Sequence, residues 1–426
     1  MTPNRSLGLT IQLRNLLRQD LLSVLVEEFP FAVVESYRVG SERKTRDRVF
    51  TPESTLLTMV LSATQEDRSL QHAVNLFAEA HARAGGHLGK QPADRPPVAR
   101  SKLRPISENT AAFSKARARL EPALVDRVFR ASADFEVSAS EAPARWHGMD
   151  AYSTDGTYVQ MQDSPALRAA FAVVNKKGEP VTAFPQGLLQ AVLHLSTGAV
   201  TDVRLGSRHV SELELVFPMV ARLPAGSVLL ADDLYNSYAI FALAQAQGVH
   251  LVVPGKRKRR YRVIERLSPG DEVVELRCTP RPPWLPEEVN LPTHLTMRRI
   301  ETTDRVFYTT LIDPAIPAAD IVAKYLQRWD IEITIREVKT LMGLAVARSK
   351  TPEMVDKEIK TALIAYNMLR RVIAKTAHQS GFPPETDLIQ AFLEADQALL
   401  SDKQGRVYAR RSPGRYGRAR QKNHPA

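Results

Sequence analysis

Two short runs, Ser227 to Ala231 and Val249 to Val253, are apolar without alternation and bounded by turn or helix signals. A strand that is apolar on both sides has no face to give to water, so it needs cover above and below. That requirement commits the middle of the chain to a layered α/β arrangement. Upstream, Met149 to Asp163 (MDAYSTDGTYVQMQD) reads as strand, tight turn at Asp155-Gly156, strand. Phe171 to Phe184 and Gly187 to Leu205 continue as paired strands with turns at Lys177-Gly178 and Thr197-Gly198. Helices are expected over Ser211–Leu223 and Ser237–Gly248. The order strand, strand, strand, helix, strand, helix, strand describes a mixed sheet flanked by helices.

The flanks have other textures. Residues 1 to 105 carry helical periodicity, with one helix opening at Thr51-Pro52, and end in a linker rich in Gly, Pro and basic residues that includes Lys102 and Arg104. A helix resumes from Ser107, with Ser107 or Asn109 as cap, and runs towards Phe135. After the last buried strand, residues 256 to 315 alternate in Asp271–Cys278, Leu295–Glu301 and Arg305–Ile312, broken by a Pro-rich segment, and read as a β-rich insertion. The sandwich returns over residues 316 to 378, with a helix opening at Thr351-Pro352. Residues 379 to 426 hold one more helix and an arginine-rich end.

Charge narrows the partners. The 426 residues carry 58 Lys and Arg against 47 Asp and Glu, a formal net charge of +11. The excess is clustered: Lys256, Arg257, Lys258, Arg259, Arg260 and Arg262 surround Tyr261, and seven basic residues crowd the last segment. Such clusters suit a polyanion, and with no apolar run near the ~18 residues of a membrane span, nucleic acid is the first candidate. A solvated tail is the plain alternative. The single cysteine, Cys278, excludes internal disulfides and multi-cysteine zinc sites and fits a reducing, cytoplasmic setting.

In Tyr325–Lys339, YLQRWDIEITIREVK, the polar residues Tyr325, Arg328, Glu332 and Lys339 recur at steps of three, four and seven. On one helix they fall within about 60° of arc, while Ile331, Ile335 and Val338 form an adjoining apolar face. A stripe of this kind can be an ordinary solvated face. It can equally hold a metal ion by its carboxylate while guanidinium, ammonium and phenol hold phosphates. Asp155 and Asp232 are the other candidates, because sites gather at strand ends in α/β sheets. Alone, Asp155 is an ordinary turn aspartate and Asp232 a helix cap. With Glu332 they supply three carboxylates on separate elements, as two divalent cations about 3.5–4 Å apart require. Mg²⁺ takes oxygen ligands, so His and Cys are unnecessary.

The spacing Tyr325-x2-Arg328-x3-Glu332-x6-Lys339 resembles the Tyr-Arg-Glu-Lys motif of the DDE transposases of bacterial insertion sequences, in the family that excises through a DNA hairpin. STDGTYVQMQD resembles that family's first Asp motif, SVLLADDLYNSY its second, and RSKTPEMVDKEIKTALIAYNMLR the helix after its catalytic Glu. FSKARARL also looks typical, and the likeness spans roughly residues 46 to 375. The resemblance implies a ribonuclease H-like core interrupted by a β-rich insertion, with Asp155, Asp232 and Glu332 as catalytic residues holding two Mg²⁺ ions, or Mn²⁺ in their place. It gives Tyr325, Arg328 and Lys339 the grip on DNA phosphates. Where the family usually has a basic residue after the second aspartate, this chain has Asp233, so Asp233 stands beside Asp232 as a possible ligand, with Asp232 preferred. The family stacks a flipped base on an aromatic of the insertion. Trp284 is the candidate, with packing in a surface loop as the alternative. The implied partners are double-stranded DNA, as terminal inverted repeats and target, and a second copy in a homodimer. A non-catalytic repressor and a ribonuclease H-like nuclease without joining activity are the other readings.

Overall fold

The computed structural model describes residues 21–39, 49–65, 67–83, 109–134, 145–172, 182–256 and 258–379. The linker, the turn at Lys177-Gly178, Arg257 and the arginine-rich end lie outside the described residues. Among the described residues six helices come first: α1 Leu21–Glu28, α2 Phe31–Val39, α3 Pro52–Ala63, α4 Leu70–Arg83, α5 Thr110–Arg119 and α6 Pro122–Ala133. Thr51 caps α3, its side chain accepting from the Ser54 N–H, and Asn109 caps α5 in the same way through Ala111. The single helix expected from Ser107 is two helices. Pro122 at the first turn of α6 disfavours the helical conformation for Glu121 before it, which is extended.

One sheet, of nine strands among the described residues, organises the rest. The strands are β1 Ala151–Gln160, β2 Gln186–His194, β3 Ala199–Ser207, β4 Val228–Leu230, β5 His250–Gly255, β6 Arg262–Ser268, β7 Asp271–Arg277, β8 His294–Glu301 and β9 Val306–Thr309. Their order is β3-β2-β1-β4-β5-β9-β8-β7-β6. Only β1–β4 and β4–β5 are parallel. The first five strands have the ribonuclease H-like arrangement expected from the sequence. The insertion is not a separate sheet: β9 pairs with β5, so its four strands extend the core sheet.

Two local expectations need correction. Asp155-Gly156 is not a turn. β1 runs straight through it, Asp155 opposite Ala191 and Gly156 opposite Gln190. Phe171 ends a short helix, α7 Pro165–Phe171, rather than starting a strand. The expected turn at Thr197-Gly198 is present, with Gly198 at φ +67 between β2 and β3.

Helices cover both faces. α8 Glu212–Val220 and α9 Tyr238–Ala246 bury Val216, Met219, Ile240 and Phe241 against Leu229, Leu251 and Val253. On the other face, α10 Ala318–Leu326 packs on Val228, Leu230, Val252 and Phe307, and α11 Trp329–Leu341 lies over β1. The 28-residue α12 Pro352–Gln379 joins this layer to the N-terminal helices. Two of its buried polar side chains bond the neighbouring backbone. The Asn367 amide donates to Val200 O (2.9 Å) and Ser132 Oγ (3.1 Å) and accepts from the Val200 N–H (2.9 Å). Arg370 donates to Thr197 O and lies so close over Gly198 that a Cβ there would fall 2.1 Å from its guanidinium.

The insertion is tied to the core by Arg298. Its guanidinium, only 2% exposed, donates to both Asp271 oxygens (2.7 and 2.6 Å) and to the carbonyls of Asp313 and Ile316 (2.9 and 2.8 Å). Replacing one partner leaves the other charge buried and unpaired, at a cost of about 3–5 kcal/mol. Arg298→Leu should therefore lower the denaturant midpoint sharply. Adding Asp271→Leu should recover much of the loss, as read from urea unfolding of both variants.

Candidate active site

Strand register brings the two aspartates together. Ser153 of β1 pairs in parallel with Leu230 of β4, so two residues further on Asp155 and Asp232 stand at the same level. Side chains alternate along a strand, and Ala151, Val228 and Leu230 face α10. Asp155 and Asp232, each four residues beyond one of these, face that same side. Asp155 Oδ1 accepts from the Gly156 N–H, and Asp232 Oδ1 from the Leu234 N–H, both at 2.9 Å. Asp232 thereby caps the 3₁₀ turn Asp233–Tyr235, and Asp233 is exposed.

The stripe is bent. The chain makes a turn at Gln327-Arg328, dividing the single helix expected from Tyr325 to Lys339 into α10 and α11. Ile331 and Val338 enter the core, and Glu332 remains on the flank, partly exposed. Arg328 Nη2 donates to Glu332 Oε1 at 2.8 Å. Burial raises both Asp155 and Asp232, and the same guanidinium acts through space against that rise. Arg328 thus pairs directly with Glu332 and acts on the two aspartates only at a distance.

That cation does not offset everything. Burial, then repulsion from Glu212 and Asp232, pushes Asp155 up to about 6 against the Gly156 N–H and Arg328. Asp232 is raised by burial and Asp233, and Glu212 by burial and Asp232. Glu212 is a fourth carboxylate that the stripe argument misses, because in sequence it is only a first-turn acid after Ser211. It sits beneath Gly156, where an added Cβ would come within 2.6 Å of its carboxyl carbon. Gly156 is thus a site of close approach, not of turning. Glu212 accepts from the Tyr235 hydroxyl (2.9 Å). Gln190 Nε2 donates to that hydroxyl and to Thr154 Oγ1, both at 2.7 Å.

The donor set suits a hard divalent cation: carboxylates alone, half-dry, and crowded enough to hold protons above their usual range. Among the described residues no three acidic, His or Cys side chains are already gathered as a metal-ion cage.

The remaining predicted residues separate. Tyr325 is 3% exposed, its ring edge-on to Phe307 at 5.0 Å, and it underlies Arg328 rather than facing solvent. Lys339 is half-buried, and desolvation holds its amine low. In the basic block, Lys256, Lys258 and Arg260 are exposed. Arg259 turns inward over the rings of Tyr308 and Phe241 and donates to Asn236. Trp284 is half-buried, 5.9 Å from the Phe217 ring. The indole beside the site is Trp329, 54% exposed and 5.3 Å from the Arg328 guanidinium. Its signal was its position next to Arg328, one residue off the stripe.

The order of the first five strands and their helical cover give a fold of the ribonuclease H-like kind, and comparison with known proteins gives the family. Residues 146–368 match the Transposase DDE domain model, and the chain belongs to that family. It is 29% identical over 285 residues to "Transposase InsG for insertion sequence element IS4" of Escherichia coli K12, covering 64% of this chain and 63% of that protein. It is 26% identical over 188 residues to "Putative transposase InsZ" of the same organism, covering 40% and 63%. The chain thus spans under two thirds of the length of these relatives. A cryo-EM structure of a piggyBac transposase synaptic complex with hairpin DNA is a distant likeness, at 9% identity and a TM-score of 0.38 over 90% of this chain and 79% of that one. Among the described residues no helix is long and apolar enough to cross a membrane.

A carboxyl whose folded pKa is raised binds its proton more tightly folded than unfolded. Its contribution to stability is full below its ordinary value and lost as pH rises through about 6. Metal-free Asp155→Asn should therefore melt above the parent at pH 7, and the gap should close towards pH 4.

Proposed function

We propose that the protein is a cut-and-paste transposase of an insertion sequence. It would hydrolyse phosphodiesters at terminal inverted repeats, form and open hairpins there, and join the freed 3′ ends to target DNA. The observation that carries this reading is the parallel register that sets Asp155 of β1 level with Asp232 just past β4, with the Arg328–Glu332 pair at the start of the helix over β1. Family membership supports it independently.

Asp155, Asp232 and Glu332 would hold Mg²⁺ or Mn²⁺, up to two ions. When bound, these activate the attacking water or hydroxyl and neutralise the leaving oxygen. The chain's own residues do the rest. Arg328 moves its guanidinium from Glu332 to a backbone phosphate, which frees Glu332 as a ligand and keeps charge balanced throughout. Tyr325, buried beneath it, limits where that guanidinium can go, and Lys339 adds a second phosphate contact. Trp329 presents an exposed indole for an unpaired base to stack on, offsetting the cost of unstacking. Lys256, Lys258 and Arg260 extend the contact along the backbone. Residues 1–105 form the end-binding unit, 106–255 and 316–378 the catalytic core, 256–315 the insertion and 379–426 a basic tail. Two copies assemble on the paired ends, in the cytoplasm.

Purified protein and Glu332→Gln would be incubated with labelled DNA from the gene's flank, with Mg²⁺ or EDTA, and products resolved on a denaturing gel. Metal-dependent nicks and hairpins should appear with the parent and be absent from the variant, while end binding is retained. Binding without cleavage by either protein would sink the reading. Mg²⁺ should also raise the melting temperature of the parent but not of Glu332→Gln. Arg328→Ala should weaken DNA binding and lower the slope of log affinity against log salt.

A further inference from the structure

The parallel ladder between β1 and β4 ends at the pair Ser153–Leu230, and the next residue, Ala231, donates its N–H to Val252 O on β5 instead (3.2 Å). Asp155 and Asp232 both lie beyond that end. Asp155 is paired on its other side with Ala191 of β2, and Asp232 opens the 3₁₀ turn that closes at Tyr235. Among the described residues no backbone bond joins the two segments past Ser153–Leu230. Side chains cross the gap instead, on the opposite face of the sheet. Gln190 Nε2 donates to Oγ1 of Thr154, the residue before Asp155, and to the Tyr235 hydroxyl, both at 2.7 Å. Tyr235 donates on to Glu212 Oε2 (2.9 Å), and Glu212 occupies the space that a Cβ on residue 156 would take. Thr154, Gln190 and Tyr235 are fully buried.

Each proton in this chain has one direction. Thr154 spends its hydroxyl proton on Ala191 O (2.9 Å) and Tyr235 spends its own on Glu212, so only the amide nitrogen of Gln190 can face both hydroxyls. The amide oxygen, Oε1, is then buried without a hydrogen bond among the described residues. Leucine at 190 would avoid that cost and strand no donor, so stability does not account for the amide.

We propose that Tyr235, held by Gln190 and Glu212, is a positioning residue that sets the gap between Asp155 and Asp232, and with it their affinity for a divalent cation, a role that rests on the reading of these carboxylates as cation ligands. Fixing the last residue of the turn orients its first, because Asp232 Oδ1 is bonded to the Leu234 N–H inside the same turn. Groups that orient ligands from behind change cation affinity by about 10- to 100-fold when removed. Glu212 is the anchor, and what it must supply is an acceptor, which glutamine also supplies.

Full-length metal-free parent, Tyr235→Phe, Gln190→Leu, Glu212→Gln and Glu332→Gln would be titrated with Mn²⁺, the unbound ion being read by electron paramagnetic resonance and folding by circular dichroism. Tyr235→Phe and Gln190→Leu should bind Mn²⁺ about 10-fold more weakly than the parent. Glu212→Gln should stay near the parent, because its amide oxygen still accepts from Tyr235. Unchanged affinity in either folded variant of Tyr235 or Gln190, whatever its melting temperature, would overturn the proposal and leave the chain a structural brace. A loss in Glu212→Gln as large as in Glu332→Gln would overturn it by making Glu212 a direct ligand. A parent that binds no Mn²⁺ would sink the cation reading and the proposal together. A parent that binds, with Glu332→Gln weakened and Tyr235→Phe unchanged, would sink the proposal alone.

Discussion

Carboxylates at the end of a buried sheet repel one another, and here backbone N–H groups and the Arg328 guanidinium offset part of that repulsion. The guanidinium bonds Glu332 and acts on Asp155 and Asp232, while backbone N–H groups take one oxygen of each aspartate. What remains is a site under electrostatic tension, with Asp155 held near 6. Such tension is a disadvantage to a structural protein. It is useful to one that must take up positive charge on demand, because each bound cation relieves it.

The rest of the architecture keeps that tension in place. β4 is only three residues long, but it is paired on both sides in parallel register and covered on both faces, so the level of Asp232 relative to Asp155 cannot drift. Beneath them Thr154, Gln190, Tyr235 and Glu212 form a bonded chain that rigidifies the strand from the opposite face. Above them α11 is fixed by Ile331 and Val338 and by the bridge between Gln160 and Val346 just past its end. α12 in turn anchors the helical layer through Asn367 and Arg370, which bond backbone groups at the turn and strand that follow β2, and Asn367 also reaches Ser132 on α6.

Much of this was legible in the chain. The unalternated runs at Val228 and Val249 required a covered sheet, the caps at Thr51 and Asn109 began helices where expected, and Thr197-Gly198 turned. Misreadings had local causes. Asp155-Gly156 has the composition of a hairpin turn, but its glycine answers the Glu212 carboxylate, which lies 56 residues away in sequence. Tyr325 reads as a polar member of a stripe, yet the turn at Gln327 swings it into the core against Phe307. Glu212 and Trp329 carried no periodic signal at all.

Residue types and spacing by themselves determined the sheet, its helical cover, the basic surface and the three candidate carboxylates, because periodicity and burial act locally along the chain. Only the tertiary structure decided that the insertion continues the core sheet, that Arg328 pairs with Glu332 after the helix breaks, and that Glu212 packs beneath Gly156. The first and last of those outcomes depend on pairings between residues far apart in sequence. No local preference specifies them, and packing and charge balance select them once the sheet is formed.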